Sequence, residues 1–180
     1  MPSVCVFCAS SDTIDQRWLD LAREVGAALA QRGHQVVSGG GRVGMMGTLA
    51  SGARATGGQT LGVIPQSLVD LEVADHDANE LVITDGMAAR KTVMVDRADA
   101  FLILAGGLGT LDELFEVWTT ATLGLHVKPI VLLDTDGFFA GMLDWLRGLV
   151  ASGFIRAPAM SRVNVARTVD EALDAVERFI

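Results

Sequence analysis

The chain has 180 residues and a mass of 19.0 kDa, half of them apolar, and a net charge of −8 from 14 basic and 22 acidic residues. That length predicts one domain, 1–180, able to bury a sizeable core, and the apolar half excludes a disordered protein. The acidic excess is even, 6 basic against 10 acidic residues in Met1–Arg90 and 8 against 12 in Lys91–Ile180, so no basic arm or tail invites a nucleic-acid polymer, while a local site for a small anion stays open. The start, Met1-Pro2-Ser3-Val4, lacks the basic segment of a secretory signal.

Val4–Cys8 reads as the first strand. It carries both cysteines, Cys5 and Cys8, and residues three apart on a strand face opposite ways. They therefore read as core cysteines, not a redox pair, and His34, His76 and His126 are scattered singly, so no metal site is expected. Ala9-Ser10-Ser11 follows the strand. Trp18, Ala22, Val25 and Leu29 mark one helix face, stopped by Gly33. Gln35–Ser38 is the second strand, followed by Gly39-Gly40-Gly41-Arg42-Val43-Gly44-Met45-Met46-Gly47, and Thr60–Ile64 is the third. Gln66–Asn79, acidic and without periodicity, reads as a long excursion, either functional or disordered. After the strand Glu80–Thr84, the residues Met87, Lys91, Met94, Val95 and Ala98 predict a helix over Met87–Ala98.

Ala100–Leu104 is the fifth strand. The uncharged stretch Ala100–Leu111 around it has 12 residues, too short to span a bilayer, and the expectation is a cytoplasmic protein with no membrane partner. Ala105-Gly106-Gly107-Leu108-Gly109-Thr110 leads into a helix marked by Leu111, Leu114, Phe115, Trp118 and Thr122 and ended by Gly124. The strands Pro129–Leu133 and Val163–Val165 follow, and Thr168 with Glu171 forms a capping box that opens the last helix. Strands alternating with helices predict right-handed parallel crossovers, hence an α/β three-layer Rossmann-like sandwich around a central, mainly parallel sheet. Trp18, Trp118, Trp145, Met45 and Met46 fit core or dimer-interface positions better than purine stacking. Met87 is the exception kept open.

In such sheets ligands bind beyond the carboxyl ends of the strands. Gly39, Gly41 and Gly44 match G-x-G-x-x-G, but after the second strand, and with no acid in Gly57–Val69 for a ribose hydroxyl, so a nicotinamide cofactor is not expected. A Walker loop is excluded, since the chain has only Lys91 and Lys128 and no Gly-Lys-Ser/Thr. Both glycine loops open helices whose first amides are unpaired, which suits a phosphate; the plainer alternative is tight turns and close packing. Thr110, Asp112, Glu113 and Glu116 follow the second loop. These carboxylates either satisfy the helix dipole or face the sugar of a bound nucleotide, where one stabilises an oxocarbenium ion or activates water. Arg90 and Lys91 sit early in their helix, against the dipole, which suggests a functional reason beside the alternative of solvated charge.

The glycine run Gly39–Gly47 resembles a GGG-x-x-G-x-M-G loop, Met87-Ala88-Ala89-Arg90-Lys91 an M-x-x-R-K element, and Ala105–Glu113 a P-G-G-x-G-T-x-x-E signature. In this order the three resemble the LOG (LONELY GUY) family, cytokinin riboside 5′-monophosphate phosphoribohydrolases, over nearly the whole chain. The resemblance implies hydrolysis of the N-glycosidic bond of a purine riboside 5′-monophosphate, AMP or an N6-prenylated relative, to free base and ribose 5-phosphate. It implies Arg90 and Glu113 as catalytic residues. Ser10, Ser11, Gly40, Gly41, Met87, Lys91, Gly106, Gly107, Gly109, Thr110 and Glu116 are expected to bind substrate, with no metal or organic cofactor, in a homodimer. The chain departs from the pattern at Ala9, Ala88 and Ala105, where glycine, histidine and proline are usual. Two other classes compete: a non-catalytic nucleotide or molybdenum-cofactor carrier, which has no need of Glu113 beside Arg90, and a lysine decarboxylase, which needs a lysine Schiff base to pyridoxal phosphate.

Overall fold

The computed structural model describes residues 1–71, 73–178 and 180. Among them the strands are β1 (Ser3–Phe7), β2 (Gln35–Ser38), β3 (Thr60–Pro65), β4 (Glu80–Thr84), β5 (Ala100–Ile103), β6 (Ile130–Leu133) and β7 (Val163–Ala166). The helices are α1 (Gln16–Gln31), α2 (Gly44–Ala55), α3 (Gln66–Val69), α4 (Met87–Arg97), α5 (Leu108–Thr122), α6 (Ala140–Ala151), α7 (Ala157–Met160) and α8 (Val169–Glu177). The strands form one sheet in the order β4-β3-β2-β1-β5-β6-β7, with every neighbouring pair parallel. Among the described residues no helix is long and apolar enough to cross a membrane.

Parallel strands buried on both faces need apolar runs rather than alternation, and Val4–Phe7, Ala100–Ile103 and Ile130–Leu133 are such runs, all buried. The sheet separates two cores. On one face Val4, Val6, Val36 and Leu102 meet α1, α2 and α8; on the other Cys5, Phe7, Val37 and Phe101 meet α4, α5 and α6. The two cysteines are free and buried, Cys8 in the first core and Cys5 in the second, as the period of a strand requires. α1 and α2 lie so close that a Cβ on Gly26 would come within 2.0 Å of the Leu49 carbonyl oxygen.

The helix stops Gly33 and Gly124 have φ of 80° and 76°, the left-handed turn that favours glycine. At the start of α8, Thr168 Oγ1 accepts from the Glu171 amide at 3.2 Å, but the Glu171 carboxylate reaches the Arg167 amide at 2.8 Å rather than that of Thr168, so the capping box is displaced by one residue. The excursion after β3 carries structure among its described residues. It opens with α3 and returns to pair Ala74 with Gly41 in an antiparallel bridge.

Candidate active site

The chain turns away from β1 toward β2 on one side and β5 on the other, so the loops after β1 and β5 part at their carboxyl ends and leave a crevice. A cleft of about 550 Å³ opens there. Its rim carries Ser10, Ser11, Gly107, Gly109 and Thr110, its floor Arg90 and Glu113, and its wall Ile64, Leu68, Leu71, Val73, Met46 and Met87.

Arg90 is only 6 % exposed, and a buried guanidinium needs partners for its fork of donors. Its Nε donates to the Val63 carbonyl at 3.0 Å and its Nη2 to the Gly39 carbonyl at 3.1 Å. Nη1 meets the Met87 sulfur at 3.8 Å and lies 3.7 Å from Glu113 Oε1. Two backbone carbonyls thus fix the plane of the group and aim the remaining edge at the carboxylate. Gly39 is what permits this approach, because a Cβ there would sit 1.7 Å from Nη2.

Glu113, on the second turn of α5, is 9 % exposed. Burial pushes its carboxyl up from the ordinary 4.5 to about 7; the Arg90 charge opposes that rise, and Asp112 adds to it. At 3.7 Å the Arg90–Glu113 pair is inside ion-pair range yet longer than a hydrogen bond, so the carboxylate is left free to engage another group. A carboxyl balanced near neutrality can both take and give a proton, and such shifts concentrate at functional sites.

The two glycine loops differ in what they offer. α5 is preceded by Gly107 at its N-cap, its first-turn amides have no intrahelical partner, and no side chain caps them. Gly107, Leu108 and Gly109 are exposed at the rim. Amides and helix dipole together make an anion seat. Gly106 lies behind it, since its Cβ position is filled by Thr110 Oγ1 at 2.1 Å. At α2 two of the first-turn amides are already taken: the Gly44 amide donates to Asp12 Oδ1 at 2.6 Å and the Met46 amide to the Ala9 carbonyl at 3.3 Å. The expectation of a phosphate cradle in both loops is therefore corrected for the first. Its glycines serve close approach, of Gly39 to Arg90 and of Gly44, at φ 60°, to the backbone of Ser10 and Ser11.

Of the residues expected to bind substrate, Ser10, Ser11, Gly41, Met87, Gly107, Gly109 and Thr110 line the cleft with Arg90 and Glu113. Gly40, Gly106, Lys91 and Glu116 do not. Gly40, at φ 71°, turns the chain against Val63, and Lys91 Nζ is held by Asp112 at 2.9 Å and Glu116 at 2.6 Å. Ala88 is exposed and outside the lining, whereas Ala9 is part of it. Trp118 is buried and its indole donates to the Ala159 carbonyl at 2.7 Å; none of the three tryptophans lines the cleft. Cys8, Gly39, Val43, Met46, Ile64, Leu68, Leu71, Val73 and Leu108 also line it and were not singled out as binding residues from the sequence. The excursion that supplies Leu68, Leu71 and Val73 was the one signal of them.

Neither lysine offers a Schiff base to the cleft, because Lys91 is bound by two carboxylates and Lys128 Nζ donates to the Val95 carbonyl at 2.7 Å. Among the described residues no group of three or more His, Cys, Asp or Glu could hold a metal ion. A second groove of about 260 Å³, beside Trp118 and Phe154, is apolar and holds no carboxylate.

A family model described as "Possible lysine decarboxylase" matches residues 46–176. A protein of Mycobacterium tuberculosis named cytokinin riboside 5′-monophosphate phosphoribohydrolase is 54 % identical over 173 residues, covering 96 % of this chain and 92 % of that one. The rice protein named cytokinin riboside 5′-monophosphate phosphoribohydrolase LOG is 39 % identical, covering 98 % and 73 %. Among solved structures, the molybdenum cofactor carrier protein of Chlamydomonas reinhardtii superposes with a TM-score of 0.72 at 23 % identity, covering 99 % of this chain and 97 % of that one. The molybdenum cofactor binding protein of Rippkaea orientalis does so with 0.73 at 22 %, covering 98 % and 95 %. At those identities the structural likeness speaks for the fold alone.

Proposed function

We infer that this chain, which belongs to the LOG family of cytokinin riboside 5′-monophosphate phosphoribohydrolases, cleaves adenine, plain or N6-prenylated, from its riboside 5′-monophosphate. The family makes it a nucleotide phosphoribohydrolase, an N-glycosidase; the purine, the residues that act and the dimeric state are the proposal. The observation that carries it is the buried Arg90–Glu113 pair on the floor of a cleft whose rim is an uncapped helix N-terminus.

The 5′-phosphate sits at the amides of Leu108–Thr110, with the hydroxyls of Ser10 and Ser11 opposite. This anchors the ribose so that its anomeric carbon faces Glu113. As the C1′–N9 bond breaks, its electron pair leaves with the purine and positive charge builds on the ribose. The ionised Glu113 stabilises that charge and takes a proton from the water that forms the new C1′–O bond. The proton taken by Glu113 is passed through solvent to the purine nitrogen, which regenerates the carboxylate, so atoms and charge balance. Arg90, locked to two carbonyls, holds Glu113 and the ribose end in place. The base then lies against Ile64, Leu68, Leu71 and Val73, an apolar wall that suits adenine and a prenyl group on N6.

Incubation with AMP, isopentenyl-AMP, GMP and CMP, followed by chromatography for free base, tests this. Adenine or isopentenyladenine is expected, and release of base only from CMP would overturn it. A homodimer is part of the same proposal, supported by Leu123, Leu125, Val127 and Phe154, each more than two-thirds exposed or close to it at the ends of α5 and α6, and is read by light scattering.

A further inference from the structure

Gln66–Asn79 supplies the apolar wall, yet it has almost no regular structure of its own, so something else must hold it at the right distance from the floor. Among the described residues its attachments are specific. The Arg42 amide donates to the Val73 carbonyl at 2.8 Å and the Asp75 amide to the Gly40 carbonyl at 2.8 Å, on either side of the Gly41–Ala74 bridge. Beyond these lies one ion pair, in which Asp75 is buried and the Arg54 side chain remains 22 % exposed. Asp75 is 6 % exposed, and its carboxylate accepts from Arg54 Nη1 at 2.8 Å and Nη2 at 3.3 Å, with the Asp77 amide at 3.3 Å. Arg54 comes from the last turn of α2, and its Nη1 also reaches Thr60 Oγ1 at 3.5 Å. Asn79, at the far end of the segment, accepts from the Thr60 amide at 2.8 Å. Neither Arg54 nor Asp75 lines the cleft.

A two-point contact between a guanidinium and a carboxylate fixes distance and angle together. Truncating Arg54 leaves the buried Asp75 carboxylate unpaired, and truncating either partner loosens the attachment. We propose that Arg54 and Asp75 are positioning residues that set where the base-side wall stands, and so govern nucleotide affinity and tolerance of an N6 substituent without touching the chemistry at C1′. This rests on the functional reading above for its substrate.

The test is steady-state kinetics of wild type, Asp75→Asn and Arg54→Gln on AMP and isopentenyl-AMP, with AMP affinity measured in parallel by calorimetry. Expected is a KM for isopentenyl-AMP raised about fivefold or more, kcat within about twofold, and a smaller rise for AMP, with Asp75→Glu recovering part of the loss. Unchanged KM in folded variants, or a fall in kcat at constant KM, overturns the proposal. If neither Asp75→Asn nor Arg54→Gln folds, the pair is a requirement of the fold and the proposal also fails. If wild type releases no base from any ribotide, the functional reading fails, while weaker AMP binding in the variants still supports the positioning role.

Discussion

Glu113→Gln removes the titrating proton while keeping the shape, and its effects on rate and on stability should run in opposite directions. In the wild type the folded carboxyl titrates at about 7 against an ordinary 4.5, because burial penalises its ionised form. The folded state therefore holds the proton more tightly than the unfolded chain. Stability from this group is fully present below pH 4.5 and is lost as the pH climbs through 4.5 to about 7. At about 1.4 kcal/mol per pH unit of separation, the loss approaches about 3.4 kcal/mol well above pH 7 and is about 0.8 kcal/mol at pH 5. The glutamine suffers none of it. Its amide adds a cost of about 1–3 kcal/mol if its NH₂ finds no acceptor, but that cost does not depend on pH.

The quantity to measure is thus the difference in melting temperature between variant and wild type at pH 5 and at pH 8. It should shift in the variant's favour by about 5–10 °C, the equivalent of about 2.5 kcal/mol for a chain of this size. Base release from AMP should fall by about 10²- to 10⁴-fold, as when a positioned base is lost. A difference in melting temperature that stays flat from pH 5 to pH 8 would mean that Glu113 is ionised throughout, and a wild-type rate would mean that it is not the working carboxylate. Either result refutes the reasoning.

Wild-type kcat/KM should fall as the pH drops through about 7, with unit slope, because only the ionised Glu113 accepts a proton; a profile level down to pH 5 contradicts this. Gly39→Ala puts a methyl group 1.7 Å from Arg90 Nη2 and should displace the guanidinium, costing about 10²-fold in kcat at near-normal affinity for AMP. Gly106→Ala collides with the Thr110 hydroxyl and should instead raise KM, by about 10- to 100-fold, through loss of a charge-assisted contact to the phosphate, as steady-state kinetics will show.

The fold was legible because its strands are continuous apolar runs between helical faces, and the expected limits of the strands and of α4 differ from the observed ones by at most one residue, whereas α3, α6 and α7 were not read from the pattern. Strand order was not legible. Glycines announced two loops but not which backbone groups those loops present. At α5 the sequence leaves no Asp, Ser, Thr or Asn at the cap, and the amides stay open; at α2 Asp12, from a different loop, takes the Gly44 amide and the Ala9 carbonyl that of Met46. Nothing near Gly44 in sequence signals that partner. Leu68, Leu71 and Val73 escaped for a related reason: Leu68 sits on α3, four residues long and too short to give a period, and Leu71 and Val73 lie past it in a stretch held by Asp75 and the Gly41–Ala74 bridge.

The meeting of Arg90 with Glu113 follows from topology rather than from either motif. β4 is at the edge of the sheet and β5 is four places along, beside β1, so the crossover through α4 must pass over β3, β2 and β1 on the face it shares with α5. The beginning of α4 is then carried over the ends of β3 and β2, where Val63 and Gly39 lend Arg90 their carbonyls. α5 starts at the end of β5 on that same face, and its second turn brings Glu113 in from the opposite side. Residues 23 apart in sequence become a buried pair because one long crossover and one short one converge on the same crevice. The same convergence dries the carboxyl and lifts it toward neutrality, while the uncapped first turn of α5 stays at the wet rim. In the function proposed above, substrate grip and bond cleavage fall to successive turns of a single helix and the loop that opens it, which is why Gly106→Ala and Glu113→Gln are expected to separate KM from kcat.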